Sequence, residues 1–469
     1  MIIDIAIIFL SVLPPLFLIL FTYIFYKKDR ILEAVIFFAT FIHESILISF
    51  PCISAVFSDF KYEHFLRFEV QDLDLLKVIA VENLYIACFL FPFFFLFKSS
   101  SGFSKINTPK LYSFFALIAL LGVIVYIYQI IHRPSIEDIV ESYSQSGLTG
   151  SSNKFITFFT LTFEHASIIV AAILSIRAKS ETYPKLYQYL GILMLILVLA
   201  MVLVSGVRGR VLWIAEFVLL VSIVKKRLKP VLLMALLTIA FIPINNILVT
   251  QIRPISEEIA KEGGITNTAI VNIVTTIIKG VNEPSDDSPS LIESLAFRAQ
   301  GPRNSAALIK EFDEGRRPGL NIYTGALFFF VPRVIFDRPV IGSPNGDFKD
   351  AAIFKVMELN YHDASFITMG PLLASAHAYW EGGYLGVVII ALFASGIWIM
   401  LIRFSYRQPP LFGLLVCLLF CCALLIDGFI TIFAPLYAMI AIFWKSLLPL
   451  FLLYFAFYKI KLPKLVFKL

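Results

Sequence analysis

Residues 5–30 read IAIIFLSVLPPLFLILFTYIFYKKDR. No side chain from Ile5 to Tyr26 carries a charge, and Lys27, Lys28, Asp29 and Arg30 follow at once. A helix rises about 1.5 Å per residue, so such a run covers the roughly 30 Å of a bilayer's hydrocarbon core. It has no basic flank before it and no small-residue cleavage site after it. It therefore reads as a first span and not a removable signal peptide. Similar apolar runs lie near 31–57, 76–97, 111–131, 155–176, 187–204, 211–224, 231–250, 384–402, 411–431 and 435–457. Composition agrees: 59% of residues are hydrophobic, 15% are charged, and the mean hydropathy is +0.86. A soluble domain is about half apolar and a quarter charged. The expectation is an all-α polytopic membrane protein with about 11 transmembrane helices, rising to about 14 if loop segments re-enter.

Basic residues in short loops mark the cytoplasmic side of such a protein. Lys27, Lys28 and Arg30 follow the first run, Lys98, Lys105 and Lys110 the third, and Arg177, Lys179 and Lys185 the fifth. Lys225, Lys226, Arg227 and Lys229 follow the seventh, Arg403 and Arg407 the ninth, and Lys459, Lys461, Lys464 and Lys468 close the chain. Every second connection is basic; those between are mixed or acidic. The N-terminus is expected outside and the C-terminus inside. The net charge of +6 reflects this asymmetry and is no sign of a nucleic-acid partner. Cys52, Cys88, Cys417, Cys421 and Cys422 fall in or beside apolar runs, where cysteine acts as a small hydrophobe, and no spacing suggests a metal site.

This reading divides the chain into spans one to eight (1–250), one large outer segment (251–383), and spans nine to eleven with a cytoplasmic tail (384–469). A connection as long as 251–383 is usually functional. Its stretches 321–336 and 364–386 are apolar enough to dip into the membrane, and small residues with Pro371 suit packed or re-entrant helices there. VNEPSDDSPS (281–290) reads as an exposed tip.

Lysine predominates on the inner connections and arginine on the outer ones. Arginine's planar fork grips phosphate or carboxylate through two parallel hydrogen bonds. Several outer arginines adjoin glycine or proline: Arg208 and Arg210 in LVSGVRGRVLW (203–213), Arg298 and Arg303 in RAQGPRN (298–304), and Arg333 and Arg338 in VPRVIFDRP (331–339). These residues suit an anion site at the outer surface. The alternative is that each arginine snorkels to lipid headgroups.

Among acid–base candidates, His377 and Glu381 in SAHAYWEGGYLG (375–386) are four apart and share a helix face at the outer boundary. A carboxylate beside an imidazole suits a general base; a helix-stabilising pair flanked by interfacial Tyr379 and Trp380 is the plainer alternative. His43 with Glu44, and His165 with Glu164, are adjacent in sequence and read as structural hydrogen-bonding groups. His362 with Asp363 is a weaker candidate. GxxxxGK[ST], HExxH and GxSxG are all missing, which removes the familiar signatures of ATP-driven pumps, zinc proteases and serine hydrolases.

GLNIYTGALFFFVPRVIFDRPVIGSPNGDF (319–348) resembles the stretch of bacterial oligosaccharide repeat-unit polymerases, the O-antigen polymerases, in which a proline-arginine pair precedes a basic-proline pair. Here these are Pro332-Arg333 and Arg338-Pro339, with arginine at 338 where the family commonly has lysine. GPLLASAHAYWEGGYLGVV (370–388) is similar to the family's small-residue, aromatic and acidic stretch ending in Gly383 and Gly386, and SGVRGR (205–210) looks like its arginine turn. The resemblance implies a membrane-integral fold like that of class C glycosyltransferases, in the bacterial inner membrane. Its activity would join undecaprenyl-pyrophosphate-linked repeat units into a surface polysaccharide at the periplasmic face. Arg208, Arg210, Arg298, Arg303 and Arg333 would hold the pyrophosphate, and Glu381 or His377 would take the acceptor proton. No cofactor is implied; the partners are the lipid-linked donor and acceptor, membrane lipids and a chain-length-regulating membrane protein. An O-antigen ligase shares this layout and usually carries an essential loop histidine, which His377 could supply. A transporter or flippase is the reading from another class. It would need charges deep in several spans, for which the sequence offers chiefly Asp427 and Lys445.

Overall fold

The computed structural model describes residues 2–57, 71–95, 109–131, 154–177, 183–205, 209–227, 301–315, 373–425 and 447–459, with isolated positions 181, 229 and 275. Among the described residues all regular structure is helical, without a strand. Four helices are long and apolar enough to cross a membrane by length and composition. The chain is a multi-pass, all-α membrane protein. In a bilayer each backbone N–H and C=O needs a partner from the chain itself, and a helix supplies it along the whole run.

The helices are α1 (Ile2–Lys27), α2 (Ile31–Glu44), α3 (Phe50–Phe57), α4 (Asp72–Phe95), α5 (Pro109–Ile131) and α6 (Lys154–Ser175). Then come α7 (Lys185–Ser205), α8 (Gly209–Val224), α9 (Gly301–Asp313), α10 (Ala374–Tyr406), α11 (Pro410–Leu425) and α12 (Leu448–Lys459). A π-helical turn, Ser45–Ser49, joins α2 to α3, so the second apolar run is continuously helical with a widened turn inside it. The run at 231–250, most of 251–383, and Asp427 and Lys445 lie outside the described residues.

The basic connections meet at one end of the bundle. Lys226 Nζ lies 3.6 Å from Asp29 Oδ1 and over the Tyr26 ring. Arg227 Nε donates to Arg177 O at 3.0 Å. Tyr406, at the foot of α10, donates to Glu33 Oε2 at 2.6 Å and accepts from Leu32 N at 3.3 Å, while Arg30 Nε holds the other Glu33 oxygen at 3.0 Å. Phe94 packs on Phe21 and Phe25, bringing the end of α4 to the same level. Lys225 closes the α6 C-terminus: its Nζ donates to Ile173 O and Ile176 O, both at 2.6 Å, and to Glu181 at 2.9 Å. Burial pushes its ammonium below the ordinary lysine pKa, and the Glu181 carboxylate pulls it back.

At the opposite end α10 is a hairpin. Its backbone leaves helical geometry at Gly382 and at Gly383, which sits at φ 60°, ψ −151°. This region is essentially reserved for glycine. Ser375 hydrogen-bonds Glu82 while Tyr379 lies at Lys77. The first arm, 374–381, therefore runs antiparallel to α4. The second arm, 384–406, runs parallel to α4, down to the basic end. The first arm thus starts inside the bundle and climbs to the tip. A Cβ on Gly386 would stand 2.4 Å from Ala378 O, so only glycine lets the arms meet this closely.

Two stability outcomes follow from these contacts. Gly386→Val should lower the thermal midpoint of the purified protein markedly, whereas Gly396→Ala, where an added Cβ meets nothing within 4 Å, should leave it within a degree or two. Lys225→Met strands Glu181 and two carbonyls and should cost about 3 kcal/mol, read as a fall in the thermal or denaturant midpoint.

Candidate functional site

Three helices enclose a polar interior beneath the hairpin tip. The first arm of α10 lies between α4 and α9. The α9 helix climbs beside it: Ser305 Oγ, near its start, accepts from Leu373 N at 3.1 Å, and Asp313, at its end, reaches the tip. Leu373 is the N-cap of α10 and its side chain makes no cap bond; Ser305 satisfies one N–H of that terminus, that of Leu373 itself. The consequence is that two helix N-termini, Gly301 of α9 and Ala374 of α10, open within about one helical turn of each other inside the protein.

Against them stand two carboxyl groups. Glu82 projects from α4, 4% exposed, and receives the Ser375 hydroxyl. Glu44, the last residue of α2 and 2% exposed, faces Glu82 and interacts with it directly. His43 Nδ1 lies 3.5 Å from the other Glu44 oxygen. Adjacent helical residues diverge by about 100°, yet these two side chains still meet. The π turn begins at the next residue, Ser45, and Ser49 Oγ donates to Ser11 O at 2.6 Å, tying the widened turn to α1. Single π turns often mark functional sites in helices.

The tip is clamped by a trio. Lys77 pairs with Asp313 and lies 5.2 Å over the Tyr379 ring; Tyr379 Oη donates to Asp313 Oδ1 at 3.0 Å. Phe312 packs edge-on against Tyr379 and would touch a Cβ at Gly383 at 3.2 Å. Together α4, α9 and α10 hold the glycine turn in place.

His377 and Glu381 both lie on the first arm. His377 is 1% exposed, with its ring 6.3 Å from Trp380. No hydrogen bond joins it to Glu381, whose two carboxyl oxygens are buried with no partner among the described residues. Tyr379 and Trp380, expected as interfacial aromatics, are 4% and 3% exposed because α4 and α9 cover the arm. Of the arginines, Arg303 lies in the first turn of α9 and Arg210 in that of α8; Arg208, Arg298 and Arg333 lie outside the described residues, as do His362 and Asp363. Glu82 is absent from the candidates that spacing alone supplies. Its one sequence signal is a carboxylate alone within the apolar run VIAVENLYIACF (78–89). Glu44, Glu82 and Glu216 lie within α2, α4 and α8 away from the basic loops, so ionisable groups deep in the bundle are more plentiful than Asp427 and Lys445 suggest.

The comparisons add no relative: no protein-family model matches the chain, and neither a curated protein nor a solved structure does.

Loosening the clamp should be visible directly. Asp313→Ala removes the partner of Lys77 and Tyr379 at a part-exposed ion pair, a loss of no more than about 1 kcal/mol in global stability. Amide exchange over 374–384 should nevertheless quicken severalfold while α1 and α2 are unchanged.

Proposed function

We propose that this protein is an integral inner-membrane glycosyltransferase that polymerises undecaprenyl-pyrophosphate-linked repeat units at the periplasmic face. In this reading the chain has eleven spans and an architecture like that of the class C glycosyltransferases, with the basic end in the cytoplasm and the α10 tip toward the periplasm. The observation that carries the reading is the meeting of the α9 and α10 N-termini, with Arg303 in the first turn of one of them. Helix N-termini present free N–H groups and positive dipole ends, and an arginine in the first turn adds a fork for phosphate.

The chemistry asks little else of the protein. The acceptor hydroxyl oxygen attacks the anomeric carbon, a C–O bond forms, and the bond to the pyrophosphate oxygen breaks with its electron pair leaving on that oxygen. In this reading the hydroxyl proton passes to Glu381 or His377 on the first arm of α10. Fixed cations and dipoles aimed at the leaving diphosphate lower the barrier. Arg208, Arg210, Arg298 and Arg333 complete its surroundings in this proposal.

Purified protein given one lipid-linked repeat unit should produce a ladder of longer glycans. Arg208→Ala and Arg303→Ala should each reduce the ladder at least tenfold while leaving single units intact. Normal ladders from well-folded variants would remove these arginines from the site, and transfer only to a lipid A-type acceptor would identify a ligase instead. A transporter reading draws on the buried Glu44–Glu82 pair, since carboxyls deep in helices often line ion paths. Lipid-linked glycan crossing proteoliposomes without elongation would favour it.

A further inference from the structure

Two successive prolines inside a helix take two donors out of its hydrogen-bond ladder. Pro14 and Pro15 both lie within α1 and are buried. Neither has an N–H, so the carbonyls four residues back, Leu10 O and Ser11 O, lose their helical partners. Each is met instead by a side chain from a neighbouring element. Asn83 Nδ2 of α4 donates to Leu10 O at 3.2 Å, and Ser49 Oγ of the π turn donates to Ser11 O at 2.6 Å. Side chains of neighbouring helices commonly satisfy such freed carbonyls in a membrane. Here the two donors also belong to the elements that frame the polar interior. Asn83 follows Glu82, which receives the Ser375 hydroxyl of the first arm of α10. Ser49 Oγ carries one proton and has a second acceptor in reach, Glu44 O at 3.4 Å. It can turn from one carbonyl to the other, so releasing α1 strands no buried hydroxyl. The two halves of α1 are held unequally. Toward the basic end, Phe25 stacks on Phe37 and Phe94, Phe21 packs on Phe94, and Arg30 lies over the Phe25 ring. On the other side of the break, Ile7 alone is buried among the described residues before Ser11. Ile2, Ile5 and Phe9 are 81%, 60% and 64% exposed.

We propose that the part of α1 before Pro14 is a lateral door, hinged at Pro14–Pro15 and latched by Asn83 and Ser49, that swings to admit the isoprenoid chain of a lipid-borne substrate. The proposal rests on the glycan-transfer reading for the identity of that lipid. An isoprenoid tail stays in the bilayer while its diphosphate enters the protein, so the way in is between helices and not through a loop. The far part of α1 stands between the bilayer and the π turn, with exposed apolar side chains on one side and Ser11 O on the other. A helix bends most readily where proline has already broken its ladder. Opening there gives up two side-chain hydrogen bonds and the packing of one buried isoleucine, and hinges of this kind absorb domain and helix movements elsewhere. Glu82 and Asn83 are neighbours on α4, one bonded to the α10 arm and the other to α1, so a single turn of α4 holds both arm and door.

Distances between nitroxide labels test this. The labels are carried on a keto amino acid in place of Ile5 and Leu73, both exposed and at the same end of α1 and α4, so the native cysteines stay. A second pair in place of Tyr23 and Phe91, exposed and on the basic-end side of the break, is the control. Full-length protein in lipid nanodiscs is read by double electron–electron resonance with undecaprenyl pyrophosphate, with inorganic pyrophosphate, or with neither. The expected result is a second distance for the first pair whose share at least doubles with undecaprenyl pyrophosphate only, and no change in the control pair. Asn83→Ala and Ser49→Ala should each populate that second distance without lipid. Pro14→Ala combined with Pro15→Ala restores both N–H donors and should hold one distance in every condition. An unchanged first pair, an equal response to inorganic pyrophosphate, or movement of both pairs together overturns the proposal from the unsubstituted hinge alone, even if the alanine variants fold poorly. A double-alanine variant that responds to the lipid as the native hinge does also overturns it. A glycan ladder with no movement of α1 removes the door and leaves glycan transfer standing. Movement with the lipid but no ladder supports the door and removes the polymerase reading.

Discussion

Everything beneath the far end of the bundle depends on how closely the two arms of α10 approach each other. Gly386 carries no Cβ, so Ala378 O can lie where a side chain would otherwise stand, and Gly383 adopts a conformation that other residues reach only under strain. Without that turn the segment before Gly382 would continue upward out of the membrane. With it, eight residues of small and aromatic side chains fold back into the interior, and their N-terminus opens against α4.

A helix that begins inside a membrane protein must satisfy its first N–H groups there. Ser305 of α9 meets Leu373 N, and Ser375 turns its hydroxyl to Glu82. These two contacts join α9, α10 and α4 at one depth. The same contacts bring Arg303's turn, two helix N-termini and the Glu44–Glu82 pair into one neighbourhood. The Lys77–Asp313–Tyr379 clamp holds the other end of the arm. The polar chemistry of the site is therefore also what pins its architecture, and a change in one is felt in the other.

The opposite end follows a simpler rule. Cations there cap carbonyls, pair with single acids, or lie on aromatic rings, as Lys225, Arg30 and Lys226 do. Such contacts stabilise the loops. The contrast between a capped basic end and an acidic interior near the far end gives the bundle its polarity.

Much of this was legible in one dimension. Uncharged runs of bilayer length dictate helices, because a backbone without water has no other way to close its hydrogen bonds. The alternation of basic loops places those loops together, and the described connections do meet at one end. Small residues and Pro371 suited the stretch before Gly383 to packed or re-entrant helices, and its described arm does pack on α4 and α9. What the sequence could not decide is which buried carboxyls meet. Glu44 and Glu82 lie on different helices, far apart in the chain, and no spacing rule relates them. His377 and Glu381 share a helix face by spacing, yet no hydrogen bond joins them, because packing against α4 and α9 and not periodicity sets where their side chains go. Local hydrogen bonding and hydropathy determine elements; only the packing of one helix on another determines which polar groups are shut in together.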